Sequence, residues 1–325
     1  MYERNYLAEL LAPSRTRQSW NDRLEHWEKP ASESEEDIIQ RAASMVRQTM
    51  AQNSWFAAEG VQIVPQGSYY NNTNVRRESD MDLRAVHKEI YLLHAADVVQ
   101  ATANAALGYY YTGRNLNQIA SQMRGEISYQ LTERFEAVHI DATGNKAIRL
   151  VGVAGSRANL DIVPCFVCHH IAWNHVAGNC QTINGIAIFD RNGTLTIDFP
   201  EQHHDNGIAK RARTRFRFKK NVRMLKNLRD ELVEQGIFGK KELPSYLIES
   251  LVYRVEDEHF LVDWDDRYDR LRRIVERMHA QLNVPEWTNS AREINDIKLL
   301  FGPHQPGSLE MAKKFAEVAW VQLAA

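Results

Sequence analysis

Two acidic residues one position apart, Asp80 and Asp82, are the feature that most constrains this chain. Met81 and Leu83 alternate with them, which predicts a half-buried β-strand. Because residues i and i+2 of a strand project from the same face, both carboxylates are expected side by side on one surface. Two carboxylates held that close repel each other unless a proton or a cation lies between them. A divalent cation is the expected occupant, and Mg²⁺ is the ion that a few carboxylates bind in phosphate chemistry.

Two further features strengthen this weak two-residue signal. A short strand that ends in Gly67-Ser68 precedes the acidic pair. Glycine there allows close backbone approach, and exposed N–H groups at such a turn can hold phosphate oxygens. Asp161 lies in the apolar run NLDIVPCFV, which predicts a buried strand. A charge in such a strand needs a partner or a metal ion, so Asp161 is the candidate third acid.

The Gly-Ser turn, the DxD pair and the distal aspartate together resemble the DNA polymerase β-like nucleotidyltransferase superfamily. The motifs GSYYNNTN and SDMDL, followed by LK at 225–226 and PSY at 244–246, narrow the resemblance. They are similar to those of bacterial cGAS/DncV-like nucleotidyltransferases (CD-NTases) of the CdnE type.

The resemblance implies an α+β fold with two parts. Residues 1–205 would form the nucleotidyltransferase catalytic core, a mixed β-sheet with a long N-terminal spine helix. Residues 206–325 would form an α-helical domain that completes the nucleotide-binding cleft.

Roles for particular residues also follow from the resemblance. Asp80, Asp82 and Asp161 would be the catalytic residues and would bind two Mg²⁺ ions, with Mn²⁺ as the alternative ion. Lys226 would reach the triphosphate, and Tyr246 would stack on the donor base. The implied nucleotide contacts are Gln66, Gly67, Ser68, Arg223, Lys226, Ser245 and Tyr246. The sequence alone also allows roles without a nucleotide: Lys226 could be a solvated lysine on a basic helix, and Tyr246 could be an aromatic residue of the core.

Composition limits the class of protein. The chain has 325 residues, of which 44% are hydrophobic and 25% charged, as in soluble globular proteins. No apolar run reaches the roughly 18 residues of a membrane span. Three cysteines give no disulfide framework, and the charged N-terminus lacks the apolar core of a signal peptide. The expected location is therefore the reducing cytoplasm, without a membrane.

Charge is distributed unevenly. The net charge is −2, yet residues 210–229 contain ten lysines and arginines and no acid. Such a run suits a polyphosphate or an RNA strand. Arginines at 211, 213, 215 and 217 would fall on several faces of a helix, so activation by nucleic acid is not predicted.

A zinc site is the alternative use of the segment that follows Asp161. Cys165 and Cys168 have a familiar ligand spacing, and Cys180 and several histidines lie nearby. A strand would place Cys165 and Cys168 on opposite faces, and no second CxxC motif follows. Buried free cysteines are favoured, while zinc binding stays open.

Several elements are predicted from local patterns. Helices are expected over 3–28, 34–58, 92–106 and 117–136, and a tight turn at 191–194 predicts a hairpin. Residues 200–212 look polar and turn-rich, with His203 and His204 as loop residues. The remaining helices are predicted over 214–235, 244–258, 265–282, 290–300 and 308–323.

The function implied by the resemblance is condensation of NTPs, ATP among them, into a cyclic di- or trinucleotide with release of pyrophosphate by two-metal-ion catalysis. Its context would be anti-phage (CBASS) signalling, with a product-activated effector protein and a regulatory or conjugating partner. The acids do not exclude a nucleotidyltransferase that modifies a tRNA end, a small molecule or a protein. A catalytically inactive nucleotide- or RNA-binding module is a third reading. Nucleobase, linkage and ring size stay open.

Overall fold

The computed structural model describes residues 14–75, 80–239, 241–261, 266–303, 305 and 307–324, which form two compact units. The sheet unit comprises Ser32–Tyr70 and Glu78–Glu201. The helical unit comprises Met1–Ala31, Asn71–Arg77 and Gln202–Ala325, so far as their residues are described. No helix in the described ranges is long and apolar enough to cross a membrane.

A mixed β-sheet is the centre of the sheet unit, as the sequence predicts. Its strands are β1 (Gln62–Gln66), β2 (Met81–His94), β3 (Ile140–Asp141), β4 (Ile148–Leu150), β5 (Leu160–Asn174), β6 (Asn179–Phe189) and β7 (Leu195–Asp198). They run in the order β1-β2-β5-β4-β3, and β6 pairs with β5 and with β7. β2 and β5 are parallel, and every other described pair is antiparallel.

The expected spine helix is divided in two. The first part, α2 (Glu33–Ala51), begins after Ser32, which forms a capping box with Glu35. Asn53 then caps α3 (Ser54–Glu59) by accepting from the N–H groups of Trp55 and Phe56. The prediction of one helix over 34–58 was therefore wrong at residues 52–53, because the asparagine side chain satisfies the N–H groups of a new helix start.

The buried face of α2 contributes Ile39, Ala42, Ala43 and Val46 to the main core of the sheet unit. The helix predicted over 117–136 is present as α6 (Leu116–Phe135). It shares a core with α2. The helix predicted over 92–106 starts later, as α5 (Gln100–Leu107), because β2 continues to His94 alongside β5. Long-range strand pairing overrides the local helical preference there. A short helical turn, α4 (Gly67–Tyr70), follows β1.

The helical unit has its own apolar core. Trp20, Leu24 and Trp27 of the N-terminal helix belong to this core. The expected helix over 3–28 is described only from residue 14, and residues 3–13 lie outside the described ranges. The helices are α1 (Ser14–Trp27), α7 (Pro200–Arg213), α8 (Arg217–Glu234), α9 (Ser245–Arg254), α10 (Arg267–Leu282), α11 (Pro285–Ser290) and α12 (Leu309–Ala324).

Two local predictions in this unit were wrong. The polar segment 200–212 is helix α7, and Pro200 suits its first turn because proline needs no N–H partner there. Residues 291–300, which the structure describes, do not form the predicted helix, and α11 ends at Ser290. The Asn295 side chain instead accepts from the N–H groups of Ile297 and Lys298, which favours a turn.

Candidate active site

Strand register brings the predicted acids together on the sheet. Asp82 on β2 is the register partner of Asp161 on β5, although the two are far apart in the chain. On either side, Gln66 pairs with Asp82, and Arg149 on β4 pairs with Asp161. Paired residues of adjacent strands project from the same face, so these four form one row across four strands.

The alternation predicted for the acidic strand is present. Met81 and Leu83 are buried in the core of the sheet unit, at 1% and 0% exposure. Asp80 and Asp82 are half-buried. The strand therefore directs its apolar residues inward and leaves its carboxylates accessible.

Arg149 bridges two of the three acids. Its Nε and Nη2 donate to Asp161 Oδ1 and Oδ2 at 2.8 and 2.7 Å. Nη2 also donates to Asp80 Oδ2 at 3.1 Å. The hydrogen bond with Asp161 raises the pKa of the Arg149 guanidinium, partial burial opposes it, and the charges of Asp161 and Asp80 raise it further. Sequence analysis did not identify this arginine, since its proximity follows from the β4–β5 register alone.

Asn159 holds the other side of Asp80. Its Nδ2 donates to Asp80 Oδ1 at 2.8 Å, while its Oδ1 accepts the N–H of Gly152 at 2.7 Å. The Gly152 N–H can donate only to the amide oxygen, so this bond fixes the amide with its NH₂ group toward Asp80. This residue too was missed at the sequence level.

Gly67, directly after the neighbouring strand β1, lies against Asp82. It has φ +73°, a left-handed conformation that side chains disfavour. A Cβ placed on Gly67 would also collide with the Asp82 carboxylate. Glycine is therefore required here both by its backbone angle and by the close approach of Asp82, with Ser68 next in the same turn.

The carboxylates of Asp80, Asp82 and Asp161 are suitable ligands for Mg²⁺, because carboxylate oxygens are its preferred protein ligands. In this arrangement Asp80 and Asp161 converge on Arg149. No group of three or more His, Cys, Asp or Glu side chains in the described ranges is arranged to hold a metal ion. The residue types therefore fit a metal site, while Arg149 contacts two of its proposed ligands.

In the helical unit, Lys226 on α8 is fully buried among polar partners. Its Nζ donates to the Thr73 backbone oxygen at 3.0 Å and lies 3.6 Å from Glu249 Oε1. Glu249, on α9, also accepts from the Thr73 hydroxyl at 2.7 Å and contacts His203 at 3.4 Å. Burial alone would raise the pKa of Glu249, but the His203 hydrogen bond and the Lys226 charge lower it to about 2.

The two histidines expected in a loop lie on α7 instead. His203 contacts Glu249, and His204 Nδ1 lies 3.1 Å from Asn71 Oδ1. The expectation of a loop was wrong, because Pro200–Arg213 forms a helix from which both side chains contact neighbouring segments.

The other predicted nucleotide contacts of this unit also have protein partners. Arg223 Nε donates to the Glu28 backbone oxygen at 2.7 Å, and burial lowers the Arg223 pKa to about 10. The Ser245 hydroxyl lies 3.4 Å from Arg229. The Tyr246 hydroxyl accepts the Gly307 N–H at 3.1 Å. Contact of these residues with a nucleotide stays a prediction.

Cys165 and Cys168 are buried in the sheet unit, and Cys180 is half-buried. Cys165 and Cys168 belong to different core clusters, as expected for opposite faces of β5. Burial raises the pKa of both thiols to about 12, and neither forms a disulfide. The location of the two thiols on opposite faces of β5 favours the reading as core residues, because they cannot both bind one zinc ion.

A mixed sheet with Asp80 and Asp82 beside Asp161 is the arrangement expected for a nucleotidyltransferase. Residues 205–324 match the model of the cGAS/DncV-like nucleotidyltransferase C-terminal helical domain. A cyclic dipyrimidine nucleotide synthase, CdnE, of Legionella pneumophila is 31% identical over 302 residues, 93% of this chain and 97% of the relative. The chain belongs to the cGAS/DncV-like nucleotidyltransferase family.

Two further comparisons agree with this assignment. A cyclic dipurine nucleotide synthase of Elizabethkingia meningoseptica is 28% identical over 306 residues, 91% of this chain and 96% of that protein. The structure of Elizabethkingia meningoseptica CdnE cyclic dinucleotide synthase with GTP and Apcpp superposes with a TM-score of 0.70 at 26% identity, covering 93% of this chain and 98% of that one. The predicted family and fold class are confirmed, and the chain is an enzyme of the nucleotidyltransferase class.

Proposed function

We propose that this enzyme condenses nucleoside triphosphates, ATP among them, into a cyclic di- or trinucleotide and releases pyrophosphate. The observation that carries the proposal is the register pairing of Asp82 with Asp161, beside Asp80, in a chain that is similar to named cyclic nucleotide synthases. In each condensation an acceptor hydroxyl oxygen forms a bond to the α-phosphorus of a donor NTP. The bond from that phosphorus to pyrophosphate breaks.

Asp80, Asp82 and Asp161 would hold two Mg²⁺ ions, or Mn²⁺. The ions supply charge neutralisation for the triphosphate and for the acceptor oxygen. Asp161 is proposed to accept the proton of the acceptor hydroxyl, and Asp80 and Asp82 to orient the donor triphosphate. Nucleotidyl transfer needs mainly alignment and charge stabilisation, so a row of preset carboxylates is the main protein contribution.

Nucleotide binding is proposed for two groups of residues. In the sheet unit, Gly67 and Ser68, with Gln66 beside them, would contact the β- and γ-phosphates through the turn that follows β1. In the helical unit, Arg223, Lys226 and Ser245 would contact phosphates, and Tyr246 would stack on the donor base. Lys226 would have to exchange part of its contacts with Thr73 and Glu249 for the phosphate.

The biological context is proposed from family membership. The cyclic product would activate an effector protein in anti-phage (CBASS) defence in the cytoplasm, and a regulatory or conjugating partner would act on the enzyme. Transfer of a single nucleotide to a tRNA end, a small molecule or a protein is the competing function.

One experiment separates these functions. The purified protein is incubated with ATP, GTP, CTP and UTP and with Mg²⁺, without any other acceptor, and the phosphatase-treated products are analysed by mass spectrometry. A phosphatase-resistant cyclic product that disappears with EDTA and returns with added Mg²⁺ is expected. Turnover that requires an added RNA, small molecule or protein would support the competing function, and absence of any turnover would contradict both.

A further inference from the structure

Arg149 and Asn159 occupy the oxygens of two proposed metal ligands. Arg149 donates to both oxygens of Asp161, at 2.8 and 2.7 Å, and to Asp80 Oδ2 at 3.1 Å. Asn159 donates to Asp80 Oδ1 at 2.8 Å. All four carboxylate oxygens of Asp80 and Asp161 therefore accept hydrogen bonds from side chains of the sheet unit itself.

Arg149 partly neutralises the charge of Asp80 and Asp161, as a bound metal ion would. The carboxylates of Asp80 and Asp161 repel each other, and the Arg149 guanidinium between them offsets that repulsion. A divalent cation needs the same oxygens, and its charge would repel a guanidinium a few ångströms away. Arg149 and a metal ion therefore compete for the same negative charge.

The two bonds of Arg149 differ in strength. The contact with Asp161 is a fork of two parallel hydrogen bonds, the stronger geometry, and strand pairing holds both residues next to each other. The contact with Asp80 is a single, longer hydrogen bond. Since 41% of the Arg149 side chain is exposed, its guanidinium has room to withdraw from Asp80.

We propose that Arg149 is an internal counter-ion that substitutes for metal in the metal-free enzyme. A divalent cation displaces it from Asp80, while the fork keeps Asp161 oriented. The inference rests on the proposed function, because it takes the three aspartates as the metal ligands. Arg149 is thus a positioning residue that lowers the affinity of the site for free metal.

Titration of the nucleotide-free full-length protein with Mn²⁺, followed by electron paramagnetic resonance, tests this role. Arg149→Gln is expected to bind Mn²⁺ about tenfold more tightly than the wild type, which corresponds to about 1.4 kcal/mol. Arg149→Lys keeps the charge but loses the fork, so a smaller increase of roughly two- to threefold is expected, from the weaker pairing of a point charge.

Arg157 offers a matched control in the same unit. It donates to the Val151 backbone oxygen and lies over the Phe135 ring, and none of its described contacts is a carboxylate. Arg157→Gln should leave the Mn²⁺ affinity unchanged.

Thermal unfolding provides a second readout. Without metal, Arg149→Gln should melt below the wild type because Asp80 and Asp161 then repel each other. Saturating Mn²⁺ should remove most of that deficit. A purely structural arginine would instead lower the melting temperature equally with and without Mn²⁺.

The outcomes separate this inference from the proposed function. If Asp161→Asn weakens Mn²⁺ binding but Arg149→Gln binds no more tightly than the wild type, the counter-ion role is overturned and the metal site stands. If Asp161→Asn leaves Mn²⁺ binding unchanged, the metal site itself is rejected. Should Arg149→Gln fail to fold, Arg149→Lys decides, and an affinity equal to that of the wild type counts against the inference.

Discussion

Asp82 and Asp161 are register partners across the parallel strands β2 and β5. Parallel neighbours lie about 4.8 Å apart and direct paired side chains to the same face. This single relationship places two acids that are distant in sequence side by side, with Asp80 two positions before Asp82 on the same face.

The first prediction concerns the acids. Asp82→Asn and Asp161→Asn should each lower the rate of cyclic product formation at least about 10²-fold, the scale on which a single preorganised electrostatic contact contributes to kcat. Asp82→Asn should lower the melting temperature by no more than a few degrees, since loss of a negative charge relieves repulsion. Asp161→Asn should lower it further, because the pair of hydrogen bonds from Arg149 is lost. Product is quantified by chromatography. Asp97→Asn, in an exposed loop, is the control and should retain full activity.

A second prediction uses two glycines that share a left-handed backbone. Gly67 has φ +73° and Gly108 has φ +71°, but an added Cβ meets Asp82 at the first and nothing within 4 Å at the second. Alanine at either position should destabilise the fold by about 1 kcal/mol through backbone strain. Only Gly67→Ala should also abolish synthesis, measured at saturating NTP. Equal activity in the two variants would contradict the close-approach argument.

A third prediction concerns pH and Glu249. Its pKa of about 2 lies below the ordinary value of 4.5, so the ionised form is stabilised by folding. The stability it contributes is fully present above pH 4.5 and is lost as the pH falls toward 2. Glu249→Gln should therefore unfold more readily in urea at pH 7, and its deficit relative to the wild type should shrink below pH 4. Glu317→Gln, at an exposed position of α12, should show no deficit at any pH.

The fourth prediction separates the ring of Tyr246 from its hydroxyl. Tyr246→Phe and Tyr246→Leu both remove the acceptor of the Gly307 N–H, and each should lose about 1 kcal/mol of stability. Stacking on a base contributes about 1–3 kcal/mol. Tyr246→Leu alone should therefore weaken ATP binding. A stacking loss of about 1.4 kcal/mol corresponds to a tenfold lower affinity. Calorimetric titration with a non-hydrolysable ATP analogue gives the comparison, and equal affinities would exclude the stacking role.

Local patterns predicted much of the sheet unit. The alternation of buried apolar residues with half-buried Asp80 and Asp82 depends only on neighbouring residues, and it is present in the structure. The hairpin of β6 and β7 also follows from local chemistry, because Asp190 accepts from the N–H groups of Asn192 and Thr194 and Gly193 supplies a positive φ.

Segments whose structure depends on distant partners were predicted less well. The β2 strand extends to His94 because β5 runs beside it. The interruption of the spine helix is different, because the Asn53 cap is a local interaction that the predicted continuous helix left out. The N-terminal helix joins the helical core through Trp20 and Trp27, which periodicity alone could not assign to either unit.

The sequence by itself determined the residue types of the candidate site: three acids, a Gly-Ser turn, and alternation that exposes carboxylates on one face. Only the tertiary structure decided that Arg149 lies between Asp80 and Asp161, and that Lys226 is buried against Glu249. The physical reason is the range of the interactions. Side-chain direction follows from adjacent residues, whereas strand register and the burial of a charge are set by segments far away in the chain.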